Sequence, residues 1–585
     1  MAEPEFDLVI RNGTIVDGSG RPAHRGDIGI VGEWIDAVGD IGGRGKREID
    51  AQGMLVTPGF VDIHTHYDGQ LVWSDRLSPS SDHGVTTVVT GNCGIGFAPC
   101  RSQDHQALIE LMEGVEDIPE AVTSAGLTWE WESFPEFLDV IERRAHDIDF
   151  AALLPHSPLR VYVMGERAIR REEAGDDDLR RMKELTAEAL AAGALGLGTS
   201  RLSYHRTSTG EFIPSLGATE KELHVIAEAM TEADSGILQM VSNMNADELE
   251  QEFGLMRDLA QQSGRPLTYT QAQTTAAPEQ WRDILKMLHS ANDNGANIKA
   301  QLFPRPIGMI IGLRTSANPF CMSPSWAEIA DLPLREKVKR MRDPEMRRRL
   351  IAEEPEDPTN PLFRMARNFE LIFPLGKQPD YEPDRSQSIK ALAAAAGVSP
   401  DEYVYDRLLE EDGEALLLVA LGNYAQYSLD FVKQMLEDPN VVVGLGDGGA
   451  HYGMICDASY TTFALTHWAR DRRGERFSVE EVVRMLTSEP ARVVGFADRG
   501  LLQPGYRAHV NVIDHARLRL LQPDIVHDLP GGGRRLHQKA EGYVATIANG
   551  AVIMENGHPT GALPGRLLRG RQEAMQGDAQ SVAAE

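Results

Sequence analysis

At 585 residues the chain exceeds one minimal core, and its length predicts about two to four domains. An apolar fraction of 42% and a charged fraction of 25% are ordinary for a folded protein and exclude a disordered or fibrous chain. With 88 acidic against 58 basic residues, the formal charge of −30 repels phosphate backbones and anionic bilayers, which excludes nucleic acid as a partner.

No stretch reaches the roughly 18 consecutive apolar residues of a membrane span. The opening residues lack the basic and apolar regions of a signal peptide, so a cytoplasmic protein is expected. Cys93, Cys100, Cys321 and Cys456 form no CxxC pair, which argues against a disulfide framework or a zinc ribbon.

In chain order, Asp7 to Gly18 alternates apolar and polar residues about an Asn12-Gly13 pair, predicting two short strands in a hairpin. Strand texture continues through Gly26–Ile30 and Trp34–Val38 to about residue 57, and returns in His509–Ile513 and Val544–Ile553. Chain termini often lie together, so one small β-sandwich is expected from residues 1–57 and 496–570. Residues 571–585 are small and polar, which predicts a disordered tail.

Residues 58–495 alternate short apolar runs with helical periods, the signature of repeated βα units. In one unit, Asp176–Asp178 open a helix whose face carries Leu179, Met182, Leu185 and Ala189, Gly193 stops it, and Ala194–Thr199 resumes as a buried strand. Eight candidate strands follow: Leu55–His64, Thr86–Thr90, Phe150–Leu154, Ala194–Thr199, Ile237–Val241, Pro266–Gln271, Ile298–Phe303 and Val441–Leu445. The expected class is α/β, a (β/α)8 TIM-like barrel carrying the terminal β-sandwich. A doubly wound sheet reads similarly. The charged segment Arg335–Asp357 predicts an inserted helical subdomain over about 315–400, placed to wall the active site.

The sharpest chemical signal is Pro58-Gly59-Phe60-Val61-Asp62-Ile63-His64-Thr65-His66. A strand puts imidazoles at i and i+2 on one side, a fair start for a divalent cation. His-x-His alone is common; its place at the C-terminal end of the first strand is what points to a site. Gly444-Leu445-Gly446-Asp447-Gly448-Gly449-Ala450-His451 ends the eighth strand. In isolation it is an Asp-Gly turn. In a closed barrel strands one and eight are neighbours, so Asp447 is expected beside His64 and His66, as ligand and as general base and acid. Cys93, in Gly91-Asn92-Cys93-Gly94 after the second strand, is a further candidate ligand.

Together these residues resemble the amidohydrolase superfamily, and within it the N-acyl-D-amino-acid deacylase (D-aminoacylase) branch. The likeness runs from Leu8-Val9-Ile10-Arg11-Asn12-Gly13 through His64-Thr65-His66, Gly91-Asn92-Cys93-Gly94, His156-Ser157-Pro158-Leu159-Arg160, Met164-Gly165-Glu166-Arg167 and Gly193-Ala194-Leu195-Gly196-Leu197. It continues through the Asp447 loop and Thr487-Ser488-Glu489-Pro490 to Thr560-Gly561-Ala562-Leu563-Pro564-Gly565-Arg566.

The resemblance implies ligands from a His-x-His on strand one, a bridging Cys after strand two, a His on each of strands five and six, and an Asp on strand eight. His64, His66, Cys93 and Asp447 match, whereas Val241 and Gln271 stand where the last two histidines belong. The expectation is therefore one divalent metal, zinc, per chain, with Cys93 as fourth ligand.

The implied reaction is hydrolysis of a C–N amide bond other than a peptide bond by a metal-activated water, Asp447 serving as base and acid. Gln271 or His156 would support the oxyanion, and Arg305 or Arg201 would hold a substrate carboxylate. The expected partner is a small-molecule amide; whether the chain forms a homo-oligomer stays open. Alternatives are a cyclic amide or ester substrate, decarboxylation or deamination, and a non-catalytic scaffold.

Overall fold

The computed structural model describes residues 5–355 and 360–572. Eight strands form the barrel: β1 (Phe60–Asp62), β2 (Val85–Thr90), β3 (Asp149–Ala152, resumed at Leu154–Pro155), β4 (Gly196–Arg201), β5 (Ile237–Ser242), β6 (Leu267–Gln271), β7 (Ile298–Leu302) and β8 (Val441–Val443). Each pairs in parallel with the next from β1 to β8. All residues of β2 and β5 are buried, as strands covered on both faces require.

Closure comes from the segments that leave β1 and β8. Asp447 N donates to His64 O at 3.1 Å and His66 N donates to Gly448 O at 2.8 Å. The expected neighbourhood of the first and last strands is thus made by the residues that carry the candidate chemistry.

A nine-stranded sheet joins the chain ends, running in order His558–Pro559, Ala551–Glu555, Tyr543–Ala548, Val510–Ile513, Leu55–Pro58, Phe6–Ile15, His24–Val31 and Trp34–Gly39, with Gly45–Asp50 also on Phe6–Ile15. Its core holds Ile10, Ile15, Ile28, Val56, Val510, Val512 and Ile547. Buried Asp149 on β3 fastens it to the barrel, accepting from Arg499 Nη1 at 2.8 Å, Asn549 Nδ2 at 2.7 Å and Arg566 N at 2.9 Å.

Two expectations are corrected. The Asn12-Gly13 pair does not turn a hairpin: Phe6–Ile15 is one strand, and its register against His24–Val31 shifts between Ile10 and Gly13. Asn12 takes φ 60° there and its N–H donates to Asp27 Oδ1, so the turn signal marks a β-bulge. The insertion is also more than helices. Leu334–Met341, Pro344–Ala352, Ile389–Ala396 and Pro400–Leu408 pack on an antiparallel sheet of Ile307–Gly312, Leu416–Gly422 and Ile372–Leu375, around Ile311, Phe320, Met341, Leu350, Tyr405 and Leu417.

Of the expected tail, Arg571 and Gln572 are placed, Gln572 bridging to Phe496; the remainder lies outside the described residues. Among the described residues no helix is long and apolar enough to cross a membrane.

Candidate metal centre

The segment leaving β1 brings His64 and His66 into the interior, each with a side chain 2% exposed. His64 Nδ1 lies 2.8 Å from Gln301 Oε1 on β7, and the other end of that amide donates to Thr268 Oγ1 at 3.0 Å. With Oε1 facing His64, Nδ1 is the donor and Nε2 is left as a free lone pair.

The Nε2 atoms of His64 and His66 each lie 3.6 Å from Asp447 Oδ1, and His64 Nε2 lies 3.4 Å from Cys93 Sγ. Among the described residues, His64, His66 and Cys93 form a cluster with metal-ligand spacing. The four predicted ligands are therefore brought together.

Local backbone makes this approach feasible. After β2, Gly91, Cys93 and Gly94 all have positive φ, a tight turn that aims the thiol inward while Asn92 Nδ2 donates to Val89 O and Thr65 O. Cys93 N donates to Gln239 Oε1 at 2.8 Å. On β5 it is thus Gln239 that reaches the cluster, while Val241 sits in the apolar core. After β8, Leu445, Asp447 and His451 take φ of 67°, 46° and 48°, a concentration of non-glycine strain at one loop. A Cβ at Gly446 would collide with the Asp62 carboxylate, so a glycine there is what lets the loop lie against β1.

The electrostatics call for a cation. Asp62, Asp68 and Glu116 are buried around the histidines. Burial raises the Asp62 carboxyl to about 8, with Asp447 adding repulsion, and Asp68 to about 6. Glu116 goes well above the carboxylate range through burial and then repulsion from Asp447 and Asp68. Burial lowers His64 to about 4 and His66 to about 3, and pushes the Cys93 thiol up, with Glu116, Asp447 and Asp68 assisting. Among the described residues, Asp62 Oδ2, Glu116 Oε2 and His66 Nδ1 are buried without hydrogen-bond partners. Neutral imidazoles beside several carboxylates and a thiol are the donor set of a divalent cation, which would invert these tendencies. The residues present fit such an ion.

The four predicted substrate contacts are instead occupied within the protein. His156 is fully buried between Thr199 Oγ1 and Glu222 Oε1, each at 2.8 Å, and Arg160 pairs with the same Glu222. Arg201 grips Glu252. Arg305 is buried on Asp457, Ser459 Oγ and Cys456 O, with Tyr381 beneath it. A buried guanidinium needs such partners, and these leave neither arginine as an open carboxylate clamp. Gln271 accepts from Tyr269 OH and donates to Ala272 O.

Sequence reasoning missed Asp62, Asp68, Glu116, Gln301 and His451. The first two flank the His-x-His in the same strand exit and His451 ends the Asp447 loop, so proximity in sequence could have flagged them. Glu116 and Gln301 carry no local signal.

Comparisons with known proteins give the family and the fold. The model described as "Amidohydrolase family" matches residues 47–554. D-aminoacylase of Alcaligenes xylosoxydans xylosoxydans is 34% identical over 234 residues, 40% of this chain and 43% of that protein, so the matched region spans less than half of that relative. An uncharacterized protein of Mycobacterium tuberculosis is 26% identical over 599 aligned positions, 94% of this chain and 92% of its own. A solved D-aminoacylase structure is 22% identical, covers 96% of this chain and 100% of its own, and superposes with a TM-score of 0.65, a likeness of fold.

Proposed function

Because the chain belongs to the amidohydrolase family, we propose that it is a metal-dependent hydrolase of C–N bonds in small-molecule amides, built on a single divalent cation. The supporting observation is the convergence of His64 Nε2, His66 Nε2, Asp447 Oδ1 and Cys93 Sγ, with the contacts noted above at 3.4–3.6 Å. His64, His66 and Asp447 would hold the ion, with Cys93 as fourth ligand; zinc suits two imidazoles, a carboxylate and a thiolate. With Val241 in the core and Gln271 bonded to its neighbours, neither of these two positions offers a histidine for another centre.

Bound there, the cation would polarise the scissile carbonyl and bring a water within reach of deprotonation near neutrality. Asp447 does the proton work. Its side chain is 24% exposed, while His64 and His66 are sealed. It takes the proton of the attacking water and returns it to the leaving nitrogen, so a carboxylate and an amine are the products.

N-acyl-D-amino acids are the first substrates to test, because relatives bear deacylase names: N-acyl-D-aspartate deacylase of Alcaligenes xylosoxydans xylosoxydans is 34% identical over 37% of this chain. Since Arg201 and Arg305 are paired internally, neutral amides and lactams belong in the same screen. The expected result is equimolar carboxylate and amine from at least one member. Ammonia or carbon dioxide as product would replace hydrolysis by deamination or decarboxylation.

A further inference from the structure

Helix α1 (His105–Glu116) buries Leu108, Leu111, Met112 and Val115 along one face and ends where Asp117 turns to φ 51°. Its last residue is the unusual one. Glu116 is 1% exposed, at the end of a helix where the macrodipole disfavours an anion. A carboxylate buried in such a place calls for a partner.

Its surroundings explain it. Glu116 Oε1 lies 3.5 Å from His66 Nδ1, and Oε2 lies 3.3 Å from His451 Nε2. Both His66 Nδ1 and Glu116 Oε2 are buried and lack hydrogen-bond partners among the described residues. The Glu116 carbonyl also accepts from His451 N, in the loop that carries Asp447. The two imidazoles are therefore backed differently: His64 by the neutral amide of Gln301, His66 by a carboxylate.

We infer that Glu116 is the positioning residue of the metal centre: it accepts a hydrogen bond from His66 Nδ1–H, leaving Nε2 for the ion, and ties that imidazole to the Asp447 loop through His451. An imidazole whose far nitrogen donates to a carboxylate is held in one tautomer and made a stronger ligand. The inference rests on the proposal that His64, His66 and Asp447 bind a metal.

The test is a Co(II) titration of metal-free protein at fixed pH, read by visible absorption, with thermal unfolding of the same samples. Glu116→Gln keeps the shape and removes the charge, so Co(II) affinity should fall about 10- to 100-fold. The metal-free protein should unfold no earlier than wild type, and the rise in unfolding temperature on adding Co(II) should shrink. Glu116→Asp, with the carboxylate drawn back, should lie between the two. Wild-type affinity in Glu116→Gln overturns the inference and leaves the metal centre standing. Lower stability of metal-free Glu116→Gln with unchanged Co(II) binding assigns Glu116 to packing. A wild-type protein that takes up no Co(II) overturns the inference and the hydrolase proposal together.

Discussion

Replacing Asp447 by Asn should lower turnover by about 100- to 10,000-fold, the range spanned by loss of a general acid–base, while fold and metal content persist. Asn is the informative substitution because Asp447 sits at φ 46°, a left-handed conformation that Asn tolerates and most side chains do not. The backbone bond from position 447 to His64 O is unchanged by the substitution, so the closure between β1 and β8 survives. The amide still offers an oxygen toward the histidines but cannot accept and return a proton at neutral pH. Assays at saturating metal with a verified substrate check this. A near-wild-type rate would remove Asp447 from proton transfer and reduce it to a ligand.

His64→Ala should act earlier, on the ion itself. It removes the Nε2 that faces both Asp447 and Cys93, and leaves His66, Asp447 and the thiol without it. Metal affinity should fall by more than the roughly 100-fold ceiling for an outer-shell partner such as Glu116, and activity should vanish with it. Gln301 Oε1 also loses its partner, so circular dichroism must show that the variant is folded. Unchanged metal binding in a folded His64→Ala protein would move the centre elsewhere.

Much of the barrel was legible because its strands are short, buried apolar runs between helical periods, and the first and last strands are neighbours in any closed barrel. That topological fact alone joins His64, His66 and Asp447 across most of the chain. The hairpin at Asn12-Gly13 failed because the left-handed preference that favours a type I′ turn equally suits a bulge. Strands Ile307–Gly312 and Leu416–Gly422 were missed because they pair with each other across the insertion, a contact that neither run announces alone.

The site divides along the same line. Ligands that sit in motifs were found. Glu116, Gln301 and Gln239 were not, because each acts through one contact with a distant residue: His66, His64 and Cys93 respectively. Arg201, Arg305 and His156 read as substrate contacts from their positions after strand ends, yet Glu252, Asp457 and Glu222 hold them. A buried cation and its carboxylate partner look in sequence like two unrelated surface charges.

The most direct measurement is elemental analysis of protein purified without chelator, expressed as metal ions per chain. One tightly held zinc-like ion per chain is the result expected of a centre made by His64, His66 and Asp447 with Cys93. Two tightly held ions per chain would contradict the single-metal centre, and protein that binds none under any condition would contradict a metal-dependent hydrolase altogether.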